Sequence, residues 1–308
     1  MNKIFLMLAA LLAVGCGVSN VAAVDEGEGL EVEEGELSST AYTFVTVRRD
    51  PRKCASPYCG GYWVRDVNVS ASVPEVYVSE LTYVNGSISA IGRDQIATAG
   101  DNELVLRARL GAIDRKTNTR KLVVRDAYRG LPGQRVASFE RVFQARRVVT
   151  ACRPNQSCPQ FEVRALNGPA RWTSAHRLDV VAPPQVSVEW LREAMLDETT
   201  LVAGELVTSQ KLPSPPTTAL TATNVFFKLE AGWSCPVFRL ARCPNDGTWT
   251  FQYSSSGCVV PAGCVEGGAC IALAPPECPN GYRPVSFAAK PFACMAQVCE
   301  PEFLNVIR

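Results

Sequence analysis

Cysteine placement limits this chain more than any other property. Thirteen cysteines occur in 308 residues, eight of them fall between positions 235 and 299, and no two are three residues apart. A Cys-x-x-Cys is what a tetrahedral zinc site or a thiol redox centre at a helix start would use, and the single histidine, His176, stands away from every cysteine pair. Neither a metal nor another cofactor is therefore expected. Disulfides are the remaining use, because a segment as short as 225–308 buries too little apolar surface to fold unaided. Such cross-linking belongs to an oxidising compartment, so the chain is expected to be exported. With Cys16 set aside, twelve cysteines remain: Cys54, Cys59, Cys152, Cys158, Cys235, Cys243, Cys258, Cys264, Cys270, Cys278, Cys294 and Cys299. An even set is what complete pairing requires.

The N-terminus carries an export signal, with Lys3 as the charged n-region and 4–14 as an apolar run too short to span a bilayer. Ala13-Val14-Gly15-Cys16 looks like a bacterial lipobox, in which the cysteine is acylated and becomes the new N-terminus. That implies a palmitate-type anchor on Cys16 and a place in the outer membrane or at the cell surface. Cleavage after Val21-Ala22-Ala23 is the rival and would release a soluble periplasmic or secreted protein. Residues 17–41 follow, with seven acidic side chains between Asp25 and Glu36 and no basic one. They are expected to form a disordered tether that leaves the rest of the chain basic.

From residue 42 large and small polar residues alternate. The pattern recurs at 42–48, 62–69, 76–84, 103–110, 121–128, 138–149, 160–166 and 200–208, with Asn85-Gly86, Gly100-Asp101, Gly130 and Pro132-Gly133 as turns between them. One short helix is expected at 187–197, where Ser187 can cap and Val188, Leu191 and Met195 share a face. The fold class is thus mainly β: an antiparallel sandwich or barrel-like domain over 42–210 with one short helix, plus a small disulfide-rich C-terminal module. The Pro- and Thr-rich stretch 211–224 is expected to link the domain to the module at 225–308.

Arg48 opens a stretch that reads RRDPRKCASPYCGGYWV to Val64. A Cys54–Cys59 bridge would close a loop too short to nucleate a core, so its role would be to pin a sharp turn, worth about 2 kcal/mol. Gly60 and Gly61 allow the reversal, and Tyr62-Trp63-Val64 leaves as a strand. Cys152 to Cys158 is the same device in front of another strand. Between 107 and 147 there are twelve basic residues against three acidic ones, and Arg107 and Arg109 share one strand face. That face is either solvated or anion-binding, for acidic polysaccharide or lipopolysaccharide; no aromatic-and-glycine motif interleaves the arginines, which argues against nucleic acid. No nucleophile–histidine pair, phosphate loop or dinucleotide fingerprint is visible, so no catalytic residue is expected.

Residues 42–69, with Arg49-Asp50 ahead of Cys54-Ala-Ser-Pro-Tyr-Cys59-Gly-Gly-Tyr, resemble the opening of a domain of unknown function found in exported proteins and lipoproteins of myxobacteria. The stretch 152–167 is similar to a second signature of that domain and 201–204 to its closing strand, so the resemblance covers about 42–210. The segment 258–303, with Pro279-Asn-Gly-Tyr282 and Cys299-Glu-Pro-Glu-Phe303, resembles small cysteine-rich tails in the same kind of protein. The resemblance implies no activity and carries over no site residue. The expected function is a lipid-anchored, non-enzymatic envelope protein that binds an anionic glycan or another envelope component. The alternative is a secreted protease inhibitor or effector presenting a rigid loop such as 262–268 or 153–157.

Overall fold

In the computed structural model, the residues described are 41–134, 140–148, 158–209, 216–229, 235–254, 258–271 and 274–305. They form sixteen strands and two α-helices, and all strand pairings are antiparallel except two. Twelve of the strands and both α-helices fall into two equal runs. The first is β1 (Thr43–Arg49), β2 (Tyr62–Asp66), β3 (Val76–Val78), β4 (Glu80–Tyr83), α1 (Ala90–Thr98), β5 (Leu104–Leu110) and β6 (Lys121–Gly130). The second is β7 (Arg141–Arg147), β8 (Phe161–Ala165), β9 (Thr173–Ala175), β10 (Arg177–Val180), α2 (Val188–Met195), β11 (Thr200–Ser209) and β12 (Thr217–Lys228).

Each run closes on itself. Only Ser79 separates β3 from β4, and its N–H bonds the Arg120 carbonyl at 2.8 Å, so 76–83 acts as one bent strand. Its first part pairs with β2 and its second, in parallel, with β6, completing the cycle β2-β1-β5-β6. In the second run His176 takes the place of Ser79, bonding Thr218 at 2.8 Å, and the cycle is β8-β7-β11-β12. Five strands in this order, with a helix between the third and fourth, form a small Greek-key barrel of the OB type. Alternation supplies the interiors: Val45, Val47, Val64, Leu106 and Val124 in the first, Phe143, Ala145, Val163, Val202 and Ala222 in the second.

The two barrels meet about an approximate two-fold axis. Their last strands pair antiparallel, Tyr128 opposite Lys228 and Gly130 opposite Phe226. Both fourth strands carry a bulge at the equivalent place, after Arg107 and after Ala203. A second apolar cluster, including Val67, Tyr128, Val142, Leu166 and Phe226, fills the seam on the outer faces. Asn68 holds Val142 and Leu166 across the seam, and Asn167 holds Phe44 and Val67 in return. Such reciprocity is what a two-fold interface shows.

Several expectations are corrected. Among the described residues there are two α-helices rather than one. The segment of α1, AIGRDQIAT, offers a glycine, two β-branched isoleucines and no long amphipathic stripe, so periodicity could not reveal it. Helix α2 is capped by Ser187 as read from sequence, but Val188 is exposed while Leu191 and Met195 are buried. Residues 217–228, assigned by composition to linker and module, form β12 at the centre of the sheet. Ser209 lies opposite Thr217, so β11 and β12 are neighbouring antiparallel strands of one sheet rather than parts of separate domains.

The C-terminal part repeats a unit of its own. Cys235–Cys258 and Cys243–Cys264 bracket the hairpin of β13 (Thr248–Tyr253) and β14 (Val259–Val265). Cys270–Cys294 and Cys278–Cys299 bracket that of β15 (Tyr282–Ala289) and β16 (Cys294–Pro301). Cys-Pro-Asn stands at 243–245 and again at 278–280. The second hairpin shares the barrel core instead of standing apart: Tyr282, Cys299 and Phe303 are buried in it. Gln95 of α1 donates to the Phe303 carbonyl at 2.7 Å, and Cys299 N–H donates to the Gln185 carbonyl ahead of α2 at 3.0 Å. It thereby straps the two barrels together.

Candidate functional site

In the first barrel the connection between β1 and β2 is the disulfide loop, residues 50–61. Cys54 is bonded to Cys59, and Asp50 N–H closes the base on the Gly61 carbonyl at 2.9 Å. Gly60 has φ +79°, and a Cβ on Gly61 would run into the Val78 carbonyl, so both glycines are required. The Arg52 guanidinium hydrogen-bonds both Asp50 carboxylate oxygens, at 2.9 and 3.0 Å, and the Tyr58 carbonyl at 3.2 Å. The Arg52–Asp50 hydrogen bonding, ahead of smaller contributions, holds the Asp50 carboxyl down to about 2. Tyr77 of β3 fastens the loop from outside, donating its hydroxyl to the Pro57 carbonyl at 2.9 Å and accepting from Gly61 N–H at 3.3 Å.

Opposite stands the β5–β6 loop, residues 111–120. Between the two loops lies a cleft of about 530 Å³. Its wall is rich in hydroxyls, from Ser56, Ser79, Thr82, Thr117 and Thr119, with Glu80, Asp114 and Lys121 among them. Glu80 and Lys121 form an ion pair. Asp114 accepts from Lys116 N–H at 2.9 Å, which shapes the loop tip, and Arg115 and Lys116 are exposed there. Beside the cleft the outer face of β2 and β3 presents Trp63 and Tyr77, edge to face at 5.4 Å. Arg52 lies over both rings, at 5.3 and 5.5 Å, and Arg48 over Trp63 at 5.6 Å. Rigid hydroxyls, an aromatic pair and cations at the rim can hydrogen-bond, stack on and neutralise a ligand of sugar type.

Arg107 and Arg109 lie on β5, the strand that enters the 111–120 loop, and both point outward. Arg107 pairs with Asp126 at 3.7 Å, which Lys228 also reaches at 3.3 Å, and stacks over Phe44 at 6.0 Å. Arg109 and Arg125 stack over Tyr42, at 5.6 and 5.7 Å. Neither is among the residues that line the cleft. Sequence reasoning missed Trp63, Tyr77 and the threonines; the signal for Trp63, Tyr77 and Thr82 was their outward register on strands already recognised, whereas Thr117 and Thr119 lie in the loop and gave none.

Of the remaining expected sites, Cys158 is disulfide-bonded, whereas Cys16 and Cys152 lie outside the described residues, as does 153–157. Residues 262–265 belong to β14, with Gly263 opposite Thr250 and Cys264 opposite Trp249, so that part of 262–268 is sheet rather than a protruding loop. The His176 ring accepts from Thr218 N–H at 3.2 Å, a structural use. Asn68 spends its amide on the seam. Among the described residues no group of three or more His, Cys, Asp or Glu could hold a metal ion.

No curated protein and no solved structure matches this chain. One family model does, described as Domain of unknown function (DUF6748), over residues 43–232. Those bounds enclose both barrels and reach past β12, in keeping with the duplicated unit as one domain. With most of its length so matched, the chain belongs to the DUF6748 family and adds to that domain a disulfide-rich C-terminal region.

Proposed function

We propose that the chain is a non-enzymatic glycan-binding protein of the cell envelope, anchored through a lipid on Cys16 and engaging anionic saccharide at the first-barrel cleft. The cleft between the disulfide loop and the 111–120 loop carries this reading. Barrels of this topology bind oligosaccharides and oligonucleotides at the second and third strands and at these two loops. A fold alone does not assign a ligand, so the residues must. Five hydroxyls in the wall suit a sugar, Trp63 and Tyr77 suit stacking, and Arg115, Lys116, Arg107 and Arg109 favour negative charge. The bridged loop is rigid before ligand arrives, so little ordering entropy opposes binding.

The test is a calorimetric titration of the detergent-extracted full chain with acidic and neutral polysaccharides over a salt series. Binding to the acidic polymer should weaken as salt rises, and should fall at least tenfold in Arg115→Ser/Lys116→Ser, whose exposed side chains leave the fold untouched. A further loss is expected in Arg107→Ser/Arg109→Ser. Equal binding of neutral and acidic polymers, or no effect of the loop variant, would refute the site. Anchoring is tested separately: intact mass should show acyl chains on Cys16, and Cys16→Ser should shift the protein from the membrane to the soluble fraction.

A further inference from the structure

Because the chain contains the same barrel twice, one copy can be compared with the other. The matched registers set Arg48 against Arg146, Arg65 against Arg164 and Trp63 against Glu162. Glu75 and Trp172, each immediately before its barrel's third strand, also correspond. In the first barrel Arg48 gives Nε and Nη2 to Glu75, at 2.8 and 2.5 Å, and lies over Trp63, while Arg65 reaches Glu75 at 3.5 Å. In the second, Arg146 gives Nε and Nη2 to Glu162, at 3.0 and 2.8 Å, and lies 4.2 Å over Trp172, with Arg164 over the same ring at 4.9 Å. Tryptophan and glutamate have exchanged places, yet a pair of arginines, one carboxylate and one indole meet on both faces; in the first barrel Arg52, bonded to Asp50, lies over the indole as well, at 5.3 Å. Even the exposure agrees, 38% and 39% for the first arginine and 20% and 23% for its acid.

A solvated strand face has no need of this set, since threonine would serve its propensity as well. The two copies share a chemical composition rather than a residue at each position, and composition is what a ligand senses. Each quartet has a net charge of +1. Arg146 spends two of its five N–H donors on Glu162, and stacking on the indole orients the others at little further entropic cost. A carboxylate or sulfate carried on a sugar ring suits such a place: the anion meets the guanidiniums and the ring's apolar face meets the indole. Arg48 lies four strand residues beyond Phe44 at the seam and Arg146 four beyond Val142, roughly 13 Å in each case, so the quartets flank the two-fold axis.

We infer that the second barrel bears its own anionic-glycan subsite, built from Arg146, Arg164 and Trp172, so that one chain grips two stretches of one polymer. This rests on the first-barrel reading above. The experiment titrates the detergent-extracted full chain with a uronic-acid trisaccharide and with a long polyuronate. Two trisaccharides should bind per chain, falling to one in Trp172→Ala and to one in Trp63→Ala. Affinity for the polymer should drop at least tenfold in either variant as bivalent attachment is lost. Arg146→Gln/Arg164→Gln should reproduce the Trp172→Ala result, with native circular dichroism required of every variant. One trisaccharide per chain, lost in Trp63→Ala and unaffected by Trp172→Ala, would leave the first-barrel reading standing and overturn the second subsite. No binding of either probe would overturn both. Tighter binding of single-stranded DNA than of polyuronate at matched charge would overturn the glycan class.

Discussion

Removing the Asn68 side chain should unfasten the seam between the barrels. Its amide donates to the Val142 and Leu166 carbonyls, both at 2.8 Å, and its oxygen accepts from Val142 N–H at 2.7 Å. The residue also sits at φ +66°, where an ordinary side chain is strained. Glycine keeps that backbone conformation and deletes the three bonds; at about 1 kcal/mol each for partners that are only partly buried, Asn68→Gly should cost about 3 kcal/mol. Alanine deletes the bonds and adds the left-handed penalty, so Asn68→Ala should cost about 4 kcal/mol. Asn167 makes the reciprocal bonds, but those to Phe44 are exposed and water can replace them. Asn167→Gly should therefore cost about 1–2 kcal/mol. Urea unfolding of the oxidised protein followed by tryptophan fluorescence measures all three. A loss below about 1 kcal/mol for Asn68→Gly, or an alanine variant no worse than the glycine one, would refute the account of the seam.

Further expectations concern pH, covalent links and packing. Asp50 titrates near 2 when folded, below its ordinary value of 3.8, so the stability it lends is complete above about pH 4 and disappears as pH falls toward 2. Acid unfolding monitored by circular dichroism should be flatter in that window for Asp50→Asn than for the parent protein. Replacing Cys278 and Cys299 together by alanine opens a link with a separation of 21 residues and should cost about 3 kcal/mol, seen as faster hydrogen exchange through β15 and β16. Phe303→Ala removes a buried ring that packs 6.3 Å from Phe227, and should cost about 3–4 kcal/mol in the same urea assay. A Cβ at Gly204 would strike the Thr221 carbonyl, so Gly204→Ala should lower the melting temperature by several degrees, whereas Ala108→Gly at the equivalent bulge of the first barrel should change it less.

Local chemistry was legible wherever it acts over a few residues. Alternation marked β1, β2, β5 and β6 because period two is set by the pleat itself, and Ser187 marked the start of α2 because its hydroxyl caps a backbone N–H three residues on. Cysteine number and the absence of Cys-x-x-Cys indicated a stapled chain, since those are properties of composition. Helix α1 escaped because its stability comes from burying Ile96 under tertiary contacts rather than from its own propensity. Two turns of sequence with isoleucine and glycine look like loop until packing buries Gly92, Gln95 and Ile96.

Partner choice between strands was beyond the sequence. Nothing near Thr217 says that β12 pairs with β11, β10 and β6, because register is set by residues distant in the chain. The duplication was hidden for a related reason: side chains on an outer face are free to trade places, as Trp63 with Glu162 and Glu75 with Trp172, so long as the same groups meet in space. Sequence alone determined that this is a disulfide-linked β protein with alternating strands. Only the tertiary structure decided that the strands close into two barrels about an axis, because closure depends on which distant edges find each other, and no local pattern encodes that.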